Sequence, residues 1–275
     1  MPVLADAVAS SGCEVAVRPW DDPGAAWGEA DLAVVRSPWD YPVRVIEFRA
    51  WIDWCAKTGV KLANSPDILR WNIDKHYLKD LADADVPVVP TTYIAPGAEI
   101  RLPDEGDFVV KPAVGAGSRL AGRYGPADQE NALRHVARLQ AEGLTVMIQP
   151  YRDAVDAYGE RALVFFGGRF MHAIRKRGVL TLGADIDGPR EAHPGLVSWR
   201  PSAEELALGR RALAAVPFDD ELVYGRVDLI VEPDRGPVLM ELELIEPNLF
   251  LRPNPGAAAV LARVIAERAA RNRRL

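Results

Sequence analysis

The chain has 275 residues, 49% of them hydrophobic and 26% charged, with a formal net charge of −6. That composition is ordinary for a soluble globular protein, and the acidic balance argues against nucleic acid as the main partner. Cys13 and Cys55 are too few for a thiolate zinc site and give no sign of an oxidising compartment; no run approaches the roughly 20 apolar residues of a membrane span, so the expected location is the cytoplasm.

The chain opens on PVLADAVASSG, a short amphipathic helix closed by Gly12. CEVAVRPW and ADLAVVRS read as strands, VIEFRAWIDWCAKTG as a helix ended by Gly59, and VKLAN as another strand. Strands alternating with helices predict βαβ units and a parallel sheet. Such a domain normally begins with a strand, so a first strand is either absent or lost to a late start. Ser65 and Pro66 then suit a helix start. Leu69, Ile73, Tyr77 and Leu81, four residues apart, predict one continuous helical face. DFVVKPAVGAGS is a strand followed by a glycine loop, and TVMIQPY is a strand. RALVFFGGRFMHAIRKR is a hairpin whose Gly-Gly pair suits a two-residue primed turn. LVYGRVDLIVEPDRGPVLMELELIEP is a second hairpin, and GAAAVLARVIAERAAR is a closing helix with a basic end that suits the helix dipole. The later part is therefore α+β with antiparallel pairs.

The second hairpin carries the chemistry. With Asp234 and Arg235 at its turn centre, Asp228 lies opposite Glu241 and Arg226 opposite Glu243, all on one face. Three converging carboxylates repel one another without cations, and oxygen-only ligands favour Mg²⁺ or Mn²⁺ completed by phosphates. The alternative is a charged face turned to water. Phosphates need cations and amides. Lys111 ends an apolar strand, and Gly115, Ala116, Gly117 and Ser118 follow it as a loop that can bring backbone N–H groups to phosphate oxygens. The loop does not match the P-loop pattern and fits a surface turn equally well. Lys75 is a second cation, or a solvated helix lysine. His76, His135, His172 and His193 lack metal-ligand spacing.

In this order, Lys75, VVKPAVGAGS, VMIQPY, GERALVFFGGRFMHAIRKR, YGRVDLIV and LMELELIEP resemble the ATP-grasp superfamily over about three quarters of the chain. RSPWDY, LRWNIDKHYL and ELELIEP are most similar to the cycloserine-forming O-ureido-serine cyclo-ligase branch, with glutathione synthetase a more distant relative. The resemblance implies a Rossmann-like domain, shortened at its start, over residues 1–65. An ATP-grasp fold follows, with a lid subdomain over 66–148 and a C-terminal subdomain over 149–275. It implies ATP as co-substrate and one or two Mg²⁺, or Mn²⁺, on Asp228, Glu241 and Glu243. Lys75 and Lys111 would hold the phosphates under the 115–118 loop. Gln149, Pro150 and Tyr151 would line the adenine, and Asp156 or Glu160 would reach the ribose. The glutathione synthetases have asparagine where Glu243 stands; a carboxylate serves a cation better.

The implied reaction activates a carboxylate as an acylphosphate and joins it to a nitrogen nucleophile, within one amino-acid-like molecule in the cyclising branch. Positioning and charge carry such chemistry, so no serine or cysteine nucleophile is expected. Centring the first hairpin between Gly167 and Gly168 puts Arg175 opposite Glu160. It would there orient the acylphosphate or form a cross-strand ion pair. Arg226 and Arg161 are further guanidinium candidates. Arg36, Ser37, Trp39, Asp40 and Tyr41 follow a parallel strand, where ligand loops commonly lie, although Trp39 and Tyr41 also suit packing. Glu246, freed by Pro247, is a candidate for the substrate end. A dipeptide- or glutathione-type ligase and a non-catalytic ATP-binding module are the alternatives. A homodimer is the candidate assembly.

Overall fold

The helix predicted to run unbroken from Pro66 to Leu81 is two helices with a break around Lys75. The computed structural model describes residues 2–187, 195–254 and 256–274. Helix α1 (Pro2–Ser10) buries Leu4 and Val8. CEVAVRPW is irregular rather than a strand. Val17 is 57% exposed, so no buried face rewards an extended ladder there. Strand β1 (Ala33–Val34), helix α2 (Val45–Thr58) and strand β2 (Leu62–Ala63) form one short parallel βαβ unit. Phe48, Ile52 and Cys55 are the buried face of α2. Burial pushes the Cys55 thiol up to about 12, as suits an inert packing residue.

Helices α3 (Pro66–Ile73) and α4 (Tyr77–Asp83) carry the four predicted apolar residues, all buried. Asp74 between them is extended, with φ −106° and ψ 122°. The Lys75 amide leaves the helical ladder and donates to Ala113 O at 3.0 Å. A tertiary hydrogen bond has overridden the helical period. Strands β3 (Thr92–Ile94), β4 (Phe108–Pro112), β5 (Gly122–Tyr124) and β6 (Val146–Pro150) make an antiparallel sheet in the order β3–β6–β4–β5. Helix α5 (Gln129–Ala141) covers it through Ala132, Val136 and Leu139.

After helix α6 (Ala154–Tyr158) come β7 (Glu160–Phe166), β8 (Arg169–Lys176), β9 (Val197–Trp199), helix α7 (Ala203–Ala214), β10 (Tyr224–Glu232), β11 (Gly236–Glu243) and helix α8 (Ala257–Asn272). The strands form a five-stranded antiparallel sheet, order β11–β10–β7–β8–β9. Gly167 and Gly168 both have positive φ, 54° and 71°, as a primed two-residue turn requires. Side chains alternate across this sheet. Leu163, Phe165, Val227 and Leu242 pack with Leu208 and Ala212 of α7. Ala162, Val164, Phe166 and Tyr224 pack with Leu261, Ala262 and Ile265 of α8 and with α1. Residues of the second parity are therefore the ones that reach the site.

Asn64 ties the N-terminal unit to this sheet. Its side chain donates to Tyr224 O at 2.9 Å and Leu244 O at 2.8 Å, and accepts from Val223 N at 2.8 Å. Asn64→Leu would leave three buried backbone groups unpaired. At about 1–3 kcal/mol per group, partly relieved by relaxation, a loss of about 3 kcal/mol is expected. Chemical denaturation should show it as a lower midpoint; an unchanged midpoint would contradict the assignment.

Candidate active site

Strand register explains why charge collects where it does. Asp228 faces Glu241 and Arg226 faces Glu243 across β10 and β11, as the sequence predicts. On β7 and β8, however, Glu160 faces Lys176, and Arg175 faces Arg161, because a bulge between Val164 and Phe165 shifts the pairing by one. Glu160, Lys176, Arg226, Asp228, Glu241 and Glu243 thus share one sheet face and line one cleft of about 480 Å³. β11 is an edge strand. Its amides and carbonyls are taken up by Asn72, Tyr77 and the Pro87–Val89 segment, which hold it in place.

The opposite wall is cationic. The Lys75 ammonium donates to Gly115 O at 2.6 Å and pairs with Glu241 at 3.2 Å. The break in the helix turns this lysine inward, 8% exposed, so it is not a solvated helix lysine. Lys111 enters from β4 and has no ion-pair or hydrogen-bond partner among the described residues; burial pulls its ammonium below the usual lysine range, against the charge of Glu241. Arg119 and Arg177 line the same cleft. Gly115, Ala116, Gly117 and Ser118 form its rim, with Gly117 and Ser118 in the left-handed region at φ 62° and 58°.

The carboxylates are finely unequal. Burial alone would raise Asp228, but Arg226 and Lys176, at 2.8 and 2.7 Å, hold it well below the usual carboxylate range. Burial likewise opposes ionisation of Glu241, and Lys75 and Lys111 reverse it. Glu243 shares Arg226 with Asp228, yet desolvation pushes it up to about 7. Glu246 has no ion-pair partner within 4 Å among the described residues; desolvation, then the charge of Glu243, pushes it up to about 8, and the Tyr41 hydroxyl beside it partly offsets that. Lys176 bridges Glu160 at 3.0 Å and Asp228 at 2.7 Å, and these charges lift it above its usual range despite burial.

The donor chemistry suits a hard divalent cation: the cleft offers carboxylate oxygens, and among the described residues no histidine or cysteine lines it. Among the described residues, no three ligating side chains come together as a closed cage. Mg²⁺ usually takes one or two carboxylates and completes its shell with phosphate and water.

The far end of the cleft is apolar. Val89, Val109, Val155, Met240, Pro150 and Tyr151 make a slot, with Gln149 beside it. Nothing in the sequence marked Val89, Val155 or Met240, since isolated apolar residues carry no signal of the space they enclose. Lys176 was missed for a different reason: it is adjacent to Arg175, and the bulge decides which of the two faces inward.

Several predicted residues lie elsewhere. Arg175 and Arg161 are on the α7 side of the sheet, both over the Trp199 ring, and Arg161 pairs with buried Glu205 at 3.4 Å. Asp156 is held by Tyr151 and Arg123 at 2.7 and 2.8 Å and does not line the cleft; Glu160 does. Asp40 is a surface partner of Trp20 and Arg44. Arg36 packs over the Tyr224 ring and donates to Pro247 O at 2.6 Å; neither it nor Ser37 lines the cleft. Trp39, 71% exposed at the mouth, and Tyr41, buried beside Glu246, do. His76 stacks on Tyr93, His135 contacts Tyr124 and His172 bonds Leu249 O, all packing roles; His193 lies outside the described residues.

Residues 1–64 match the family model described as D-cycloserine synthetase DcsG, N-terminal domain. The chain is 36% identical to the cycloserine biosynthesis protein DcsG of Streptomyces lavendulae, over 98% of this chain and 93% of that protein. The chain belongs to the DcsG family. The crystal structure of D-cycloserine synthetase DcsG has the same fold, with a TM-score of 0.87 at 36% identity over 98% of this chain and 94% of that one. D-alanine–D-alanine ligase from Bacillus anthracis, complexed with ATP, shares the fold at 16% identity, with a TM-score of 0.62 over 90% of this chain and 81% of that one. No described helix is long and apolar enough to cross a membrane.

Proposed function

We propose that this enzyme uses ATP and Mg²⁺ to activate the carboxylate of a small amino-acid-like substrate and closes it onto a nitrogen of the same molecule, a cycloserine-type cyclisation. The supporting observation is one cleft in which an acidic sheet face, two inward lysines and a glycine loop adjoin an apolar slot. The base would lie against Val89, Val155, Met240 and Tyr151, with Glu160 toward the ribose. Lys75, Lys111 and the 115–118 loop would hold the phosphates. Two of the carboxylates among Asp228, Glu241 and Glu243 would hold Mg²⁺, which when bound neutralises phosphate charge. Mn²⁺ would serve the same donors.

The substrate carboxylate oxygen attacks the γ-phosphorus as the bond to ADP breaks. The nitrogen then attacks the acyl carbon and releases its proton to solvent, and phosphate leaves with the acyl–oxygen electron pair. Arg226 and Lys176 keep the acidic face neutral enough to admit the anions. Tyr41, Glu246 and Trp39 would hold the substrate end. The reading keeps the divisions 1–65, 66–148 and 149–275, a cytoplasmic setting and a homodimer as proposals.

Release of ADP and phosphate, screened over amino acids and their ureido, hydroxamate and aminooxy derivatives, tests it. A ureido-serine substrate should give equal ADP and phosphate with a cyclic product. Nucleotide binding without ADP release across the whole panel would contradict the cyclising reaction.

Lys111 gives a separable expectation. A desolvated cation whose burial outweighs the nearby charge of Glu241 destabilises the empty protein. Lys111→Met should therefore raise the melting temperature slightly while weakening binding of a non-hydrolysable ATP analogue about 10- to 100-fold, the value of one charged hydrogen bond. Scanning fluorimetry and calorimetry check the two arms.

A further inference from the structure

Tyr151 does not stand alone at the end of the slot. The Arg123 guanidinium lies over its ring, 3.5 Å from the centroid. The same guanidinium pairs with Asp107 at 2.8 Å and Asp156 at 2.8 Å. The Tyr151 hydroxyl donates to Asp156 at 2.7 Å, and its amide donates to Asp107 O at 2.7 Å. Ring, fork and two carboxylates close one circuit. Arg123 belongs to β5 of the four-stranded sheet, and Asp156 to α6, which leads into the five-stranded sheet. The circuit therefore ties the two sheets together at the base end of the cleft. The segment after β8 joins it: the Gly183 amide donates to Arg123 O at 3.1 Å. A Cβ on Gly178 would come within 2.6 Å of Val155 and 3.6 Å of the Tyr151 hydroxyl, so that segment packs directly on the slot.

Arg123 itself does not line the cleft. Its side chain is 14% exposed and serves no other described partner. A planar cation that both stacks and forks restricts its neighbours in two directions, which lysine cannot do. We propose that Arg123 is a nucleotide-positioning residue: it fixes the Tyr151 wall and the sheet-to-sheet spacing at the base end, so that base recognition depends on it while the phosphate end does not. This rests on the ligase reading, in which the slot holds the adenine.

The test is calorimetric, on the full chain with Mg²⁺, using AMPPNP and inorganic tripolyphosphate as probes. Arg123→Ala is expected to weaken AMPPNP about tenfold or more and tripolyphosphate less than twofold. Arg123→Lys should fail to rescue AMPPNP binding. Asp156→Asn, at a half-exposed site, should give a weaker loss of the same kind. With substrate, the Arg123 variants should raise KM for ATP with kcat within about threefold of wild type. Equal weakening of both probes, unchanged AMPPNP binding, or full rescue by lysine would overturn the proposal. Should Arg123→Ala fail to fold, the Lys and Asp156→Asn variants decide by the same ratios. Failure of wild type to bind AMPPNP at all would sink the ligase reading itself, whereas wild-type binding that Arg123 variants leave intact sinks only this inference.

Discussion

Glu241→Gln is expected to reduce turnover by at least about 10³-fold with little change in stability. The carboxylate is the meeting point of the two walls: it pairs with Lys75 and faces Asp228 across the strand pair. Lys75 and Lys111 hold it ionised against burial. Neutralising it removes an oxygen anion from the proposed Mg²⁺ set and leaves two lysines competing for the phosphates. Loss of one preorganised electrostatic contact typically costs 10²–10³ in kcat, and loss of an ion ligand adds to that. Its side chain is 29% exposed, and glutamine keeps its shape. The stability change is therefore expected to stay within about 1 kcal/mol. Circular dichroism and a melting curve alongside a phosphate-release assay separate the effects. Retained turnover in a folded variant would remove Glu241 from the site.

Arg226→Met should do the reverse, damaging stability as well as activity. The guanidinium donates to both oxygens of Asp228, to Glu243 and to Asn248 O, and its side chain is 3% exposed. Asp228 is 4% exposed. Removing one partner of a buried ion network leaves uncompensated charge and costs about 3–5 kcal/mol. For a chain of this size, that is a fall in melting temperature of roughly 10 °C. The double variant Arg226→Met/Asp228→Asn should recover part of the loss, because the stranded charge is gone. Additive losses in the double variant would show that the two side chains are not energetically coupled.

The acidic hairpin was legible in the sequence because two facts suffice: side chains alternate, and a turn fixes register. Even so, the Asp228–Glu241 pairing came out right through two offsetting displacements. Pairing near the turn, Glu232 with Gly236, centres it on Asp234 rather than between Asp234 and Arg235, and a bulge after Asp228 restores the expected register. In the first hairpin nothing offsets the bulge after Val164. Arg175 is carried to the α7 face and Lys176 into the cleft. Bulges have no local signature in a run of apolar residues, so parity beyond them cannot be read from periodicity.

Lys75 shows a second limit. Its helix was read from Leu69, Ile73, Tyr77 and Leu81, and all four are buried as expected. The break between them follows from a hydrogen bond to Ala113, some forty residues away in the chain. The slot formed by Val89, Val155 and Met240 was invisible for the same reason, since it exists only once three separate segments meet. CEVAVRPW had the composition of a strand but no neighbour to pair with, and composition alone does not make a ladder.

The most direct test is a crystal structure with AMPPNP and Mn²⁺, the ion located by its anomalous signal. The account predicts an ion bound by two or more of Asp228, Glu241 and Glu243, with the triphosphate running from there past Lys75 and Lys111 and the base against Tyr151. An ion and nucleotide bound elsewhere, with these three carboxylates still held only by Lys75, Lys176 and Arg226, would contradict it.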